Sequence, residues 1–189
     1  MRWDELFADL EGQLEDGIGA EEREQEVEEE RLRLGRLGLR DRIAAIATGR
    51  DALRMRLVDG SALDLVPGTL GRDWVSGDVA GTAAQAVLPL AAVAALLPTP
   101  VQLERSMVAV PGGALTERLG LPFVLRDLAR RRRVVRLVTR SGVLAGTLDR
   151  VGRDHLDLAV HPADGWRRAS DVARVEVVAL GEVLLVRVD

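Results

Sequence analysis

The side chains that could do chemistry in this chain are mostly arginines. Nine arginines fall between positions 126 and 153, against only Asp127 and Asp149 on the acidic side. Such a density of guanidinium groups is typical of a patch that binds phosphate or another anion. It is equally typical of a solvated helix end, where the helix dipole favours cations. The candidate nucleic-acid or anion-binding residues are Arg130, Arg131, Arg132, Arg133, Arg136, Arg153, Trp74 and His155.

Trp74 and His155 enter that set because each follows the same short motif. The chain reads Gly-Arg-Asp-Trp over residues 71–74 and Gly-Arg-Asp-His over residues 152–155. A flat side chain at such a turn is suited to stacking on a nucleic-acid base or on an aromatic group of a partner. The alternative is structural: Trp74 packs against the end of a core, and His155 is a turn residue. Both interpretations remain open from the sequence.

The residue types that are missing exclude most catalytic chemistry. The chain has no Cys and only two His, which removes disulfides, thiolate nucleophiles and any Cys-rich or His-rich metal motif. Asp73, Asp154 and Glu182 have no nucleophile or second base at a useful spacing, so they are interpreted as turn residues. The sequence therefore predicts a protein that is not an enzyme, with no catalytic residue, no cofactor and no metal.

The charge is divided unevenly along the 189 residues, whose formal net charge is −4. Residues 1–35 carry 13 acidic and 4 basic side chains, which gives −9, and residues 36–189 carry 17 and 22, which gives +5. Every basic residue is Arg and there is no Asn. The exclusive use of Arg is interpreted as the compositional habit of a high-GC bacterial genome, without functional meaning.

The acidic N-terminal segment has a helical pattern over residues 2–34. Four apolar residues are spaced by four, three and four positions and form one stripe, which is typical of an amphipathic helix. Glycines at 17 and 19 interrupt the pattern, and the segment 21–34 is rich in Glu and Arg. The stripe is the candidate partner-binding surface, and its residues are Trp3, Phe7, Leu10 and Leu14.

The rest of the chain contains an internal repeat. Leu37-Gly38-Leu39 matches Leu119-Gly120-Leu121 at an offset of 82, and each is followed by apolar residues at helical spacing. Residues 55–58 match 135–138 at offset 80, 71–75 match 152–156 at offset 81, and 90–93 match 172–175 at offset 82. The predicted organisation is an acidic helical arm at 1–35, a first helix-plus-barrel repeat at 36–110, a linker at 111–118 and a second repeat at 119–189. Residues 101–110 are expected to add a last strand to the first repeat.

The second copy carries the pattern of a known family. It reads Val135-Arg136-Leu137, Gly142, Gly146-Thr147-Leu148, Val151 and Asp154-His155-Leu156-Asp157-Leu158, and it closes with Leu180-Gly181-Glu182-Val183-Leu184. This pattern resembles the Sm-like family of small SH3-like barrels. The resemblance implies an α+β, mainly β fold in which each duplicated unit is a short helix followed by a small, strongly bent barrel. The Asn with which that family contacts RNA has no counterpart here.

Two functions follow as hypotheses. The preferred one is a non-enzymatic binding or scaffolding protein, which acts through edge strands and the N-terminal helix on a protein partner or on another copy of itself. The alternative is an RNA- or DNA-associated Sm-like module whose Arg-rich rim is regulated by the acidic arm. The most apolar window, residues 86–97, is shorter than the roughly 20 residues of a membrane span, and the N-terminus does not resemble a secretory signal. A soluble cytoplasmic protein without membrane contact is therefore expected.

Overall fold

The computed structural model describes residues 23, 25–108, 110, 115–162 and 172–188. The chain divides into two units, Met1–Gly38 and Leu39–Asp189. In the first unit, residues 25–35 form a helix, α1, whose side chains are largely exposed. Arg33 donates to Glu30 one turn earlier at 2.6 Å, and this hydrogen bond lowers the pKa of the Glu30 carboxyl. The candidate partner-binding residues Trp3, Phe7, Leu10 and Leu14 lie outside the described residues.

The described residues of the second unit form ten strands and three helices. The helices are α2 (Leu39–Ala47), α3 (Pro100–Arg105) and α4 (Leu121–Arg130), and short 3-10 turns occupy Leu90–Ala92, Leu115–Arg118 and Leu180–Glu182. The strands are β1 (Leu53–Leu57), β2 (Ala62–Leu70), β3 (Trp74–Val79), β4 (Gln85–Pro89), β5 (Val93–Leu97), β6 (Val134–Thr139), β7 (Gly142–Val151), β8 (His155–Val160), β9 (Arg174–Ala179) and β10 (Val183–Val188). No helix in the described part of the chain is long and apolar enough to cross a membrane.

All ten strands belong to one open antiparallel sheet, in the order β5-β1-β2-β3-β4-β10-β6-β7-β8-β9. The expectation of two small barrels, each with its own helix, is therefore wrong. The finding that overturns it is the pairing of β4 with β10, in which Val87 lies opposite Val186. Both strands are apolar, and their backbone N–H and C=O groups need partners once the side chains are buried. Pairing the two strands satisfies those groups and merges the predicted repeats into a single sheet.

Within this sheet, the two five-strand halves have the same internal order. The first half runs β5-β1-β2-β3-β4 and the second runs β10-β6-β7-β8-β9. Met55 pairs with Leu63 and Leu96, and Leu137 pairs with Leu144 and Val186. Met55 is therefore the counterpart of Leu137 at offset 82, and the predicted match at offset 80 is wrong by two residues.

The last block of the predicted repeat is also misaligned. The turn Leu90–Ala92 corresponds to the turn Leu180–Glu182, because each lies between the fourth and fifth strands of its half. That is an offset of 90, whereas the sequence comparison matched residues 90–93 with 172–175. The cause is the connection between β8 and β9, which spans 161–173, while the connection between β3 and β4 spans only 80–84.

The segment expected to supply a further strand after residue 100 is instead the helix α3. Thr99 accepts a hydrogen bond from the backbone N–H of Gln102, and the Gln102 side chain accepts one from the backbone N–H of Thr99. This reciprocal capping box, with Pro100 in the first turn, favours a helix start over an extended strand. Gln102 also donates to the Ala52 carbonyl at 2.9 Å, which fixes α3 beside the start of β1.

Two hydrophobic clusters form the core, and they interlock where the halves meet. Ile43 of α2 belongs to the first cluster, together with side chains from β1, β2 and β3. Leu125 of α4 belongs to the second, with side chains from β6, β7 and β8. Leu184 of β10 packs in the first cluster, whereas Trp74 and Val87 of the first half pack in the second. Burial of one such side chain contributes about 1.5–3 kcal/mol to the free energy of unfolding. Because each of these three side chains packs in the cluster of the other half, they hold the two halves together.

Candidate protein-interaction site

The pairing of β4 with β10, called the junction below, shows how this fold uses a strand edge. Val87 lies opposite Val186, Ala86 opposite Arg187, and Gln85 opposite Val188. Val87 is 6% exposed and Val186 is fully buried. The junction is thus an apolar, hydrogen-bonded seam between two halves of the same design.

Next to the junction, residues 71–74 hold the start of α4, and this turn is called the first corner. The Trp74 indole N–H donates to the Leu119 carbonyl at 2.9 Å, and the backbone N–H of Arg72 donates to the same carbonyl at 2.9 Å. The Asp73 carboxylate accepts from the backbone N–H of Leu121 at 2.7 Å. A Cβ at Gly71 would overlap the Trp74 ring, so glycine is required there. The first corner therefore caps a helix of the opposite half.

These contacts decide the placement of Trp74. The side chain is only 4% exposed and belongs to the second hydrophobic cluster. Its single donor is used by the Leu119 carbonyl. Trp74 consequently has no exposed face for stacking on a base. Its environment is that of a core residue, which was the structural alternative for this side chain.

His155 has the opposite environment at the equivalent turn, residues 152–155, called the second corner. Its side chain is 48% exposed, and that of Asp154 is 84% exposed. The ring Nδ1 lies 2.8 Å from the Asp154 carboxylate, and this hydrogen bond lowers the pKa of Asp154. In the second corner, the side chains of Arg153, Asp154 and His155 are therefore exposed to solvent.

The arginine run lies around the end of α4. Residues 130–133 are all exposed, and Arg131 donates to Asp127 one turn earlier at 2.7 Å. Arg136 is exposed on β6, and Arg153 is exposed in the second corner. Four of the candidate arginines are therefore consecutive at one helix end, while the other two belong to different elements.

A groove of about 520 Å³ is lined by residues of α4 and of the strands β2, β3, β4 and β10. Its charged lining consists of Arg131, Arg133, Asp78 and Asp127. Two carboxylates face the same space as two guanidinium groups, which weakens the attraction of this groove for an anion. Arg130 and Arg132, the other two arginines of the run, do not line this groove.

The outer edge of β9 is a feature that sequence reasoning missed. Among the described residues, β9 is the last strand of the sheet and pairs only with β8. Val175 is 55% exposed and Val177 is 70% exposed, although valine is usually buried in strands. Arg174 and Glu176 form an ion pair at 2.6 Å beside these valines. The signal in the sequence is the alternation of two valines with two charged residues over residues 174–177. The alignment at offset 82 matched residues 172–175 with the 3-10 turn at 90–92 and Val93 instead of with β4.

Comparisons with protein-family models, with curated proteins and with solved structures found no significant match. The resemblance to Sm-like proteins therefore stays a prediction. The site is defined by its own geometry: an unpaired strand edge with exposed valines, and beside it the solvent-open second corner.

Proposed function

We propose that this chain is a non-enzymatic binding and scaffolding protein whose main interaction surface is the outer edge of β9. The observation that carries the proposal is the exposure of Val175 and Val177, at 55% and 70%, on the terminal strand of the sheet. An exposed apolar edge strand is a template for pairing with a strand from another chain. The partner is therefore a protein that contributes a β-strand.

The addition of a partner strand would satisfy the backbone polar groups of this edge and bury its valine side chains. The outward backbone N–H and C=O groups of β9 provide a row of hydrogen-bonding positions, which supply affinity in this mode of binding. The two valines lose their contact with water when a strand is added, and apolar surface contributes about 25 cal/mol for each Å² buried. The junction inside the chain supports the same mode, because there β4 and β10 meet in this way.

A photo-reactive amino acid at position 179 tests the β9 edge in cells. Ala179 is exposed at the end of β9, so we expect covalent adducts with a protein partner. The substitution V177K should abolish them, since a charged side chain would have to lose its hydration within the new strand pair. The matched control is V143K, because Val143 is also exposed, at 64%, but lies on the interior strand β7. Adducts that persist in V177K would contradict the proposal.

A second candidate function is supported by the exposed arginines at residues 130–133. Such a group of arginines can bind the phosphates of an RNA or DNA backbone. Each phosphate contact makes the binding constant fall more steeply as the salt concentration rises. If single-stranded RNA binds there, the double variant R130A/R132A should lower the slope of log K against log salt by about 0.7 for each lost contact. The control is R54A/R56A, which removes two exposed arginines from β1. Equal slopes in both variants, or no salt-sensitive binding, would eliminate this candidate.

A further inference from the structure

We infer that the second corner is a binding site for the start of an α-helix that a partner protein supplies. The helix start that fits has an apolar residue, a glycine and a second apolar residue in succession, with the glycine at the N-cap. The site lies at residues 152–155, whereas the proposed function uses the outer edge of β9, so the inference goes beyond that function. It follows from the segment that the equivalent turn of the first half already holds.

The first corner shows which groups recognise a helix start. Two donors, the Trp74 indole N–H and the Arg72 backbone N–H, converge on the Leu119 carbonyl, each at 2.9 Å. Two residues later, the Leu121 N–H donates to the Asp73 carboxylate at 2.7 Å. Leu121 is the first residue of α4, and the first N–H groups of a helix have no partner within it. The carboxylate of the first corner therefore caps the helix from outside.

The glycine at the N-cap allows this helix start to approach the turn closely. Gly120 supplies no side-chain cap of its own, so the Asp73 carboxylate takes that role. A Cβ at Gly120 would lie 2.7 Å from the Arg72 guanidinium and 3.5 Å from the Asp73 carboxylate. A partner helix with glycine at this position therefore fits such a turn most closely.

The second corner repeats the backbone geometry of the first. The Gly152 N–H donates to the His155 carbonyl at 2.8 Å, the same length as the bond across the first corner. The Leu180 N–H donates to the Asp154 carbonyl at 2.8 Å, and its counterpart in the first half measures 2.9 Å. A Cβ at Gly152 would overlap the His155 ring, as one at Gly71 would overlap the indole. The ring therefore lies over its glycine in both turns, and the site is preformed.

The groups that hold α4 in the first corner are available in the second. The side chain of Asp154 is 84% exposed and that of His155 is 48% exposed. Among the described residues, these two side chains bond only to each other, through His155 Nδ1 and one carboxylate oxygen at 2.8 Å. No acceptor for the backbone N–H of Arg153 lies in the described part of the chain. One carboxylate oxygen, the second ring nitrogen and one backbone N–H therefore remain for a partner.

The sheet surface beside the second corner suits the body of such a helix. His155 pairs with Ala179, and Val177 shares the face of Ala179 because side chains two residues apart on a strand point the same way. Val177 is 70% exposed, so this face carries uncovered apolar surface. In the first half the equivalent residue, Val87, packs in the same hydrophobic cluster as Leu121 of α4. An amphipathic helix that starts at the second corner would cover Val177 in a corresponding way.

A synthetic peptide with the sequence of residues 118–131, which contains α4 and its start, tests the site on the full-length chain. The protein has only two histidines, so histidine-selective isotope labelling gives one ring at the site and one reference ring in the NMR spectrum. His161 is the reference, because it is 3% exposed and both its ring nitrogens have partners at 2.8 Å. The ring signals of His155 should shift as peptide is added, whereas those of His161 should not.

Two matched changes identify the bond that carries the binding. The variant D154A should weaken peptide binding about tenfold, the loss expected for one hydrogen bond to a charged group. Its control is D64A, which removes an exposed carboxylate from β2 and should leave the affinity unchanged. A peptide with N-methyl-leucine at the position of Leu121 lacks the donated N–H but keeps the side chain. It should also bind about tenfold more weakly to the wild type.

Specific outcomes decide the inference. Peptide binding that D154A leaves unchanged, or His155 signals that stay fixed at millimolar peptide, would overturn it. A wild-type chain whose mass by light scattering exceeds the single-chain 20.5 kDa, and returns to it in D154A, would assign the site to a second copy and would also overturn the inference. If the peptide does not bind while adducts at position 179 form and V177K abolishes them, the proposed function stands and this inference alone falls.

Discussion

At the scale of single residues, equivalent positions of the two halves have opposite environments. Trp74 is 4% exposed and donates to the Leu119 carbonyl, whereas His155 is half exposed and contacts its neighbour Asp154. The side-chain type follows the environment: the large indole fills a covered site, and the smaller, polar imidazole tolerates water. The pair provides a matched test of whether the first corner stabilises the fold.

The substitutions W74A and H155A should differ strongly in their effect on the free energy of unfolding. Removing a buried Trp side chain costs about 3–5 kcal/mol, and in this protein it also leaves the Leu119 carbonyl without its indole donor. Removing an exposed side chain usually changes stability by less than about 0.5 kcal/mol. Urea unfolding of the two variants, compared at equal protein concentration, measures the difference. Equal destabilisation would mean that the first corner does not join the halves as described.

At the scale of elements, the local patterns were more informative than the long-range ones. The apolar spacing after Leu39 and after Leu121 predicted helices, and α2 and α4 confirm it. The apolar window of residues 86–97 contains β4, whose residues 86–89 are buried, and β5, whose residues are only partly buried or exposed. These patterns depend on neighbours within a few residues, so the sequence reports them directly.

The element-scale errors have a common physical cause. The alignment of β1 with its counterpart β6 was shifted by two residues. Such a shift leaves the alternation of apolar side chains unchanged and therefore gives no warning in the sequence. The long connection before β9 displaced the last alignment by eight residues relative to the true offset of 90. Because β9 was misaligned, its exposed valines were not recognised as a candidate site.

At the scale of the whole molecule, the distant pairing of β4 with β10 decides the architecture. Its partners are about a hundred positions apart in the chain, and no local pattern specifies which apolar edge will meet which. The prediction of two barrels failed for this reason. The same pairing explains the ends of the sheet, since it uses one edge from each half and leaves the other two at β5 and β9.

Hydrogen–deuterium exchange over β9 in the full-length chain, isolated from cells together with its bound protein partner, tests the central claim most directly. If the β9 edge is covered by a strand of that partner, the backbone amides of residues 174–179 should exchange about tenfold or more slowly in the wild-type preparation than in V177K prepared in the same way, because paired amides must open before they exchange. V143K should exchange like the wild type over the same residues. Fast exchange over β9 that is identical in the wild type, V143K and V177K at every concentration would contradict the account.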